Sequence, residues 1–67
     1  MGYALALDLA YAGEPEWSPL VFVNPQECEA FARAFYARPE TVESWSVEGV
    51  SEKGRWRFVD GTLSLVL

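Results

Sequence analysis

The strongest potential nucleophile in this chain of 67 residues is its single thiol. Cys28 follows a predicted helix start, and a thiol near a helix N-terminus can be activated as a thiolate. Its neighbours Glu27 and Glu29 disfavour a thiolate, and the chain contains no histidine to act as its base. Cys28 also lies on the apolar stripe of the predicted helix, so we interpret it as a small buried hydrophobic residue.

Pairs of neighbouring carboxylates are the second candidate for chemistry, because two such groups can perform acid-base catalysis or bind a hard cation. None of the pairs has the spacing of a metal-binding loop, and without histidine or a second cysteine we expect no zinc site. Capping and the helix dipole explain the acid at the predicted helix start. The pairs are Glu14 with Glu16, Glu27 with Glu29, and Glu40 with Glu43.

Asp8 is harder to explain, since it interrupts a predicted strand whose other outward residues are alanines. It could be an exposed charge that discourages edge pairing, a cross-strand partner of Arg55 or Arg57, or a catalytic acid without visible partners. The chain has no glycine-rich phosphate loop, nucleophile elbow or P-loop. We therefore predict no enzymatic activity and no cofactor.

Composition limits the remaining functions. Hydrophobic residues make up 51% of the chain and aromatic residues 15%, which predicts one folded domain over residues 1–67. Ten acidic against five basic residues give a net charge of -5, which argues against nucleic-acid binding because phosphates require Lys and Arg. No apolar run approaches the ~20 residues of a membrane span. The lone cysteine forbids an internal disulfide and favours the cytoplasm, and the scarcity of Asn and Gln suits a thermophile.

The first half of the chain predicts one long strand and one helix. Residues 3–11 alternate strictly, with Tyr and Leu on one face, which is typical of a strand, and residues 20–23 suggest a second strand or an extended lead-in. Asn24 is a good N-cap, Pro25 suits the first helical position, and Pro39 ends the helix. The predicted apolar stripe of this helix contains Cys28, Phe31, Ala32, Phe35 and Tyr36.

The second half predicts a meander of three strands. Asp60-Gly61 indicates a type I′ turn that pairs Val59 with Thr62. A four-residue loop over 51–54 would pair Val50 with Arg55, Val47 with Phe58 and Gly49 with a covering Trp56. The sequence therefore predicts an α+β fold, an antiparallel four- or five-stranded sheet with one helix packed on one face, in the order β-(β)-α-β-β-β. The place of the first strand in that sheet stays open. The helix should meet a face built from Leu5, Leu7, Leu9, Trp45, Val47, Trp56, Phe58, Leu63 and Leu65.

Trp17 is the aromatic residue that this core does not require. It lies in a loop stiffened by Pro15 and Pro19 and flanked by Glu14 and Glu16, and it could either cap the core or make an intermolecular contact. The second face of the predicted sheet mixes small apolar residues with charges of both signs, including Arg55 and Arg57. Such a face suits either a two-fold contact or plain solvation.

These features predict a small, non-catalytic cytoplasmic protein that acts through protein-protein contact and forms a homo-oligomer, with no nucleic-acid or membrane partner. The predicted interaction residues are Trp17, Glu14, Glu16, Arg55 and Arg57. The alternative is a small-molecule or peptide-binding module that uses the Trp17 loop together with Tyr3, Tyr11 and Tyr36.

Overall fold

A computed structural model describes residues 1–10, 13–36 and 42–66 and shows an α+β fold. Within these residues β1, β2 and β3 form an antiparallel sheet with β1 in the middle, and β4 and β5 form an antiparallel hairpin. The predicted α+β class, antiparallel pairing and single helix are confirmed, whereas one continuous four- or five-stranded sheet is not. The elements are β1 (Gly2–Leu9), β2 (Glu16–Trp17), α1 (Pro25–Tyr36), β3 (Val42–Val50), β4 (Trp56–Val59) and β5 (Thr62–Leu65).

The predicted pairing of β3 with β4 is wrong. Instead of Arg55 and Phe58, Val50 pairs with Gly2 and Val47 with Leu5, and the ladder between β1 and β3 runs on to Leu9 and Val42. β3 pairs with β1 rather than with β4 because β1 has eight alternating residues, whereas β4 has only four. The ring of Tyr3, rather than that of Trp56, accordingly lies beside Gly49.

Phe22 joins the three-stranded sheet to the hairpin. Its N–H donates to the Tyr3 carbonyl over 2.7 Å, and the Tyr3 N–H donates back over 3.0 Å. On the other side, the Val21 carbonyl accepts from the N–H of Trp56 at 3.0 Å, and the Val23 N–H donates to the Trp56 carbonyl. The second strand or extended lead-in predicted over residues 20–23 is therefore only a one-residue bridge at Phe22, and the second strand lies earlier, at Glu16–Trp17.

The helix begins where the sequence predicts. The Asn24 side chain accepts a 2.8 Å hydrogen bond from the N–H of Glu27, and Pro25 is the first helical residue. Cys28, Phe31 and Ala32 are buried as expected. The predicted end at Pro39 lies outside the described residues.

The predicted core is largely confirmed, with two exceptions at its margin. Leu5, Leu7, Phe31 and Phe58 are buried together with Phe22, and Leu9, Trp45, Val47, Trp56 and Leu63 pack partly against them. Phe35 is 60% exposed, although its ring centroid lies 4.6 Å from that of Phe31, and Leu65 is 48% exposed. Leu65 is left uncovered because α1 contacts β1, β3 and β4 but, within the described residues, not β5.

The hairpin of β4 and β5 confirms the predicted turn. Asp60 and Gly61 have φ values of 51° and 76°, as a type I′ turn requires. Val59 pairs with Thr62 and Phe58 with Leu63, in the predicted register.

We expect Gly54→Ala to be severely destabilising. An added methyl group would meet the Phe22 carbonyl oxygen and lie 2.6 Å from the Phe22 carbonyl carbon, and this backbone is held by the bridge to β1 and β4. The free energy of unfolding measured in urea should fall by at least the ~1–3 kcal/mol typical of overpacking. Gly13→Ala is the control, because no atom lies within 4 Å of the corresponding position. Equal stability of the two variants would contradict the close packing of Gly54.

Candidate interaction surface

Glu27 connects the first turn of α1 to the hairpin. Its carboxylate accepts hydrogen bonds from the side chain of Arg57, at 2.8 Å from Nε and 2.7 Å from Nη2. It also accepts from the N–H of Phe58 at 2.7 Å and from the Asn24 side chain at 2.8 Å. The hydrogen bonds from Arg57, and after them that from Asn24, lower the pKa of Glu27 to about 2, and the same ion pair raises the pKa of Arg57. Glu27 and Arg57 are therefore occupied in holding the fold together.

The sequence predicted only part of this arrangement. Capping accounts for the contact of Glu27 with Asn24, but Arg57 was expected on the sheet face away from the helix, among the interaction residues. The structure instead turns its guanidinium to the N-terminus of α1. An acid in the first helical turn is a local signal, whereas its Arg partner, 30 residues further along, can be found only from the three-dimensional fold.

Asp8 and Glu29 make simpler contacts than Glu27. Asp8 is exposed and accepts a 3.3 Å hydrogen bond from the Ser44 hydroxyl, so Arg57 is not its partner. Glu29 accepts a 2.8 Å hydrogen bond from the indole N–H of Trp45. Among the described residues, which omit Glu40, no three acidic, cysteine or histidine side chains are grouped to hold a metal ion.

Cys28 is buried on the inner side of α1. Burial, with a smaller effect from the charge of Glu29, raises the pKa of its thiol to about 11. A thiol with this pKa is protonated near neutral pH and is a poor nucleophile. Cys28 therefore serves as a core residue, as its position on the apolar stripe predicts.

The sheet face turned away from α1 is the open surface of the molecule. The pairing register places Ala6 beside Trp17 on one side and Ser46 on the other, and Asp8 beside Ser44. We call this surface the open face, and define it by Ala4, Ala6, Asp8, Trp17, Ser44, Ser46 and Glu48. It has small residues along the middle strand, hydroxyl groups on β3 and one large aromatic residue at the β2 edge.

Trp17 is 55% exposed although its backbone is fixed. Its strand pairs with β1, and the next residue, Ser18, donates a 2.9 Å hydrogen bond to the Leu5 carbonyl. Since Trp17 lies on the open face, it does not cap the core on the other side of the sheet. The capping alternative is therefore not supported, and an intermolecular contact of Trp17 stays a prediction.

A groove of about 190 Å³ runs beside Trp17. Ala4 lies on its floor, and Pro19, Val21, Val50 and Glu52 line it with Trp17. A second depression, with Lys53 and Arg55, shares Pro19, Val21 and Glu52 with it. These lining residues carry no sequence signal, because they meet only through the pairing of β1 with β3 and the bridge at Phe22.

The predicted interaction residues are only partly brought together. Glu14 is exposed in the same segment as Trp17, and Arg55 borders the adjoining depression. Glu16 is exposed but pairs with Leu7, on the sheet face opposite Trp17, and Arg57 is bound to Glu27. Of the predicted tyrosines, Tyr3 and Tyr36 pack against the core, and Tyr11 lies outside the described residues. Because Tyr3 lies on the core side of β1, it does not share a pocket with Trp17.

No known protein family, curated protein or solved structure matches this chain. Within the described residues, no helix is both long and apolar enough to cross a bilayer. The open face, its groove and its charges are therefore the basis for assigning a function.

We expect the stability to depend on pH through Glu27. Because folding lowers the pKa of this carboxyl from its ordinary 4.5 to about 2, its ionised form stabilises the fold fully above about pH 4.5, and this stabilisation is lost as the pH falls toward 2. Urea unfolding should show Glu27→Gln to be destabilised at neutral pH, with the difference from wild type shrinking in acid. Glu52→Gln, at an exposed position, is the control, and a difference independent of pH would contradict the ion pair.

Cys28 should be unreactive while the protein is folded. Its sulfur is buried and its thiol pKa is raised to about 11, so a disulfide reagent should modify it only through unfolding. The modification rate at pH 8 should rise with urea in parallel with the unfolded fraction. Rapid stoichiometric labelling of the native protein would contradict the structural role.

Proposed function

We propose that this chain has no catalytic role, acts through protein-protein contact at the open face around Trp17, and self-associates. The observation that carries the proposal is a tryptophan that is 55% exposed on a backbone fixed by pairing with β1. Tryptophan is enriched among residues that dominate binding energy, and a pre-ordered backbone reduces the entropy lost on association. A cytoplasmic location accompanies this proposal, because the single cysteine cannot form an internal disulfide.

The shape of the surface favours a macromolecular partner over a small molecule. The groove beside Trp17, at about 190 Å³, is smaller than the roughly 300–1,000 Å³ of ordinary ligand pockets. It continues into the depression bordered by Lys53 and Arg55, so the accessible surface is broad and shallow. A broad surface with one aromatic anchor is typical of protein interfaces.

The charge around Trp17 indicates what the partner should present. Asp8 and Glu48 lie on the open face, and Glu14 precedes Trp17 in its own segment, whereas the pairing of Glu16 with Leu7 places Glu16 on the other face of the sheet. A Lys or Arg of the partner could stack on the indole ring and remain near the other three carboxylates. We therefore expect a basic residue opposite Trp17, and an acidic one near Lys53 and Arg55.

The absence of catalysis is supported by the roles of the candidate groups. The Glu27 carboxyl has a lowered pKa and four hydrogen-bond donors, whereas a general acid needs a raised pKa and access to substrate. The Cys28 thiol is buried and protonated. Neither group can act on a substrate at the open face.

A second candidate function is a peptide-binding module. The small floor residue Ala4, between Trp17 and Val50, leaves space for one apolar side chain of an extended segment. Under this alternative, a short peptide from the partner should bind with the affinity of the whole partner. A broad protein contact should instead require the folded partner.

Trp17→Ala should weaken partner binding without unfolding the protein. A photo-crosslinking residue introduced at Glu52, which is exposed and lines the groove beside Trp17, would identify the partner in the source cells. Calorimetry with the purified partner would then measure the affinity. We expect a loss of at least tenfold, since removing an anchoring tryptophan usually costs about 2 kcal/mol or more.

Val59→Ala is the matched control, because Val59 is 46% exposed but lies on β4, away from the open face. It should leave the affinity unchanged, and circular dichroism should show both variants folded. A folded Trp17→Ala variant that binds like wild type would refute the proposed contact surface.

A further inference from the structure

One edge of β3 is unpaired in the described part of the chain. β3 is hydrogen-bonded to β1 on one side, and no described strand lies on its other side. It has nine residues, whereas the other outer strands, β2 and β5, have two and four. A long strand with an open edge can pair with another chain, and short edge strands are a recognised protection against such pairing.

We propose that a second copy of this chain pairs antiparallel with the open edge of β3, with Ser46 on the two-fold axis. This inference rests on the self-association in the proposed function and identifies where it occurs. Antiparallel pairing of identical strands is two-fold symmetric, as the isologous interface of a homodimer requires. Ser46 is the central residue of Val42–Val50, so this register alone overlaps the whole strand.

The side chains of β3 fit this register. With Ser46 opposite the partner's Ser46, Trp45 faces the partner's Val47, and the reverse contact follows by symmetry. An aromatic residue opposite a β-branched residue is a favourable cross-strand pair. Both residues lie on the core side of the sheet and are half-buried, so the contact extends the existing apolar layer.

The acidic residues of β3 disfavour two alternative pairings. In the proposed pairing Glu48 faces the partner's Ser44, and the two Glu48 side chains are four residues apart along the strand, or about 13 Å. That distance exceeds the Debye length of roughly 8 Å at physiological ionic strength, so their repulsion is screened. A shift that pairs Ser46 with the partner's Trp45 would place Glu48 opposite the partner's Glu43, and parallel in-register pairing would place Glu48 beside its copy.

The helix does not obstruct this arrangement. It packs across β1, with β3 and β4 as its other contacts, and the two copies of β1 would be three strand spacings apart, or about 14 Å. Packed helices need only about 8–10 Å between their axes, so the two helices fit side by side. The two open faces would then form one continuous surface with a Trp17 near each end.

The contact is limited in extent. A β-bulge between Asp8 and Leu9 leaves Glu43 without a partner on β1, so the most regular pairing covers Ser44 to Glu48. A strand-edge contact of this length buries little surface compared with obligate dimers. We therefore expect a dimer that dissociates in the micromolar range.

Opposite charges at position 46 test the register directly. Ser46→Glu and Ser46→Lys each place two like charges face to face on the axis, which is unfavourable, whereas mixing them pairs opposite charges. Ser46 is exposed, so the monomer should tolerate both changes. In sedimentation equilibrium each variant alone should dimerise at least tenfold more weakly than wild type. An equimolar mixture should recover the dimer, and native mass spectrometry should show it to contain one copy of each variant.

Thr62→Glu and Thr62→Lys are the controls, because Thr62 is exposed on another outer strand, β5, and pairs with Val59 rather than with the ion-paired Arg57. They should dimerise like wild type, alone and mixed. If the wild type dimerises but the Ser46 variants do not weaken it, the interface is elsewhere; this inference is overturned and self-association stands. A wild-type protein that stays monomeric at millimolar concentration overturns both this inference and self-association. The contact at Trp17 is tested separately, by the crosslinking experiment described above.

Discussion

The backbone hydrogen bonds of residues 21–23 are the constraint on which the rest of the structure depends. Phe22 is fully buried and bonded to Tyr3, while Val21 and Val23 bond to Trp56. Through these few bonds the three-stranded sheet and the hairpin share one core, which neither would complete alone. Gly54 and Gly2 are required beside this crossing because the chains approach too closely for a side chain. A domain of this size buries only about 60% of the surface its unfolded chain exposes, so it cannot easily lose such a connection.

The same crossing shapes the surface that we propose to be functional. It holds Val21 and Pro19 beside Trp17 and forms the groove above Ala4. It also occupies the edge of β1 that β3 leaves free. In the part of the chain that the structure describes, the long unpaired edge of the three-stranded sheet is therefore that of β3. The proposed contact face and the proposed self-association edge are therefore two consequences of one packing arrangement. They lie on the same sheet, and pairing at the edge would bring two contact faces into one surface.

Charged residues in this protein have two separate tasks. Glu27 and Arg57 stabilise the fold, because their ion pair joins the start of the helix to the hairpin and satisfies the N–H of Phe58 as well. The acids of the open face have few partners beyond neighbouring hydroxyl groups, as Asp8 has with Ser44. The charged groups that could bind a partner are thus distinct from those that the fold requires. The type of a residue alone does not show to which of these two sets it belongs.

The sequence by itself determined the features that arise between near neighbours: the alternation of β1, the Asn24 cap, the helix stripe and the turn at Asp60-Gly61. Each depends on contacts within a few residues, so the local pattern is sufficient. It also placed Trp45 and Val47 on the core side, since alternation specifies the face of a strand whatever its partner is. Only the tertiary structure decided that β3 pairs with β1 rather than β4, that Arg57 turns to Glu27, and that Trp17 lies on the open face. In each case, segments that are distant in the sequence could make alternative contacts, and their local patterns do not distinguish between these. The length of the strand ladder and the shared core determine which contacts form.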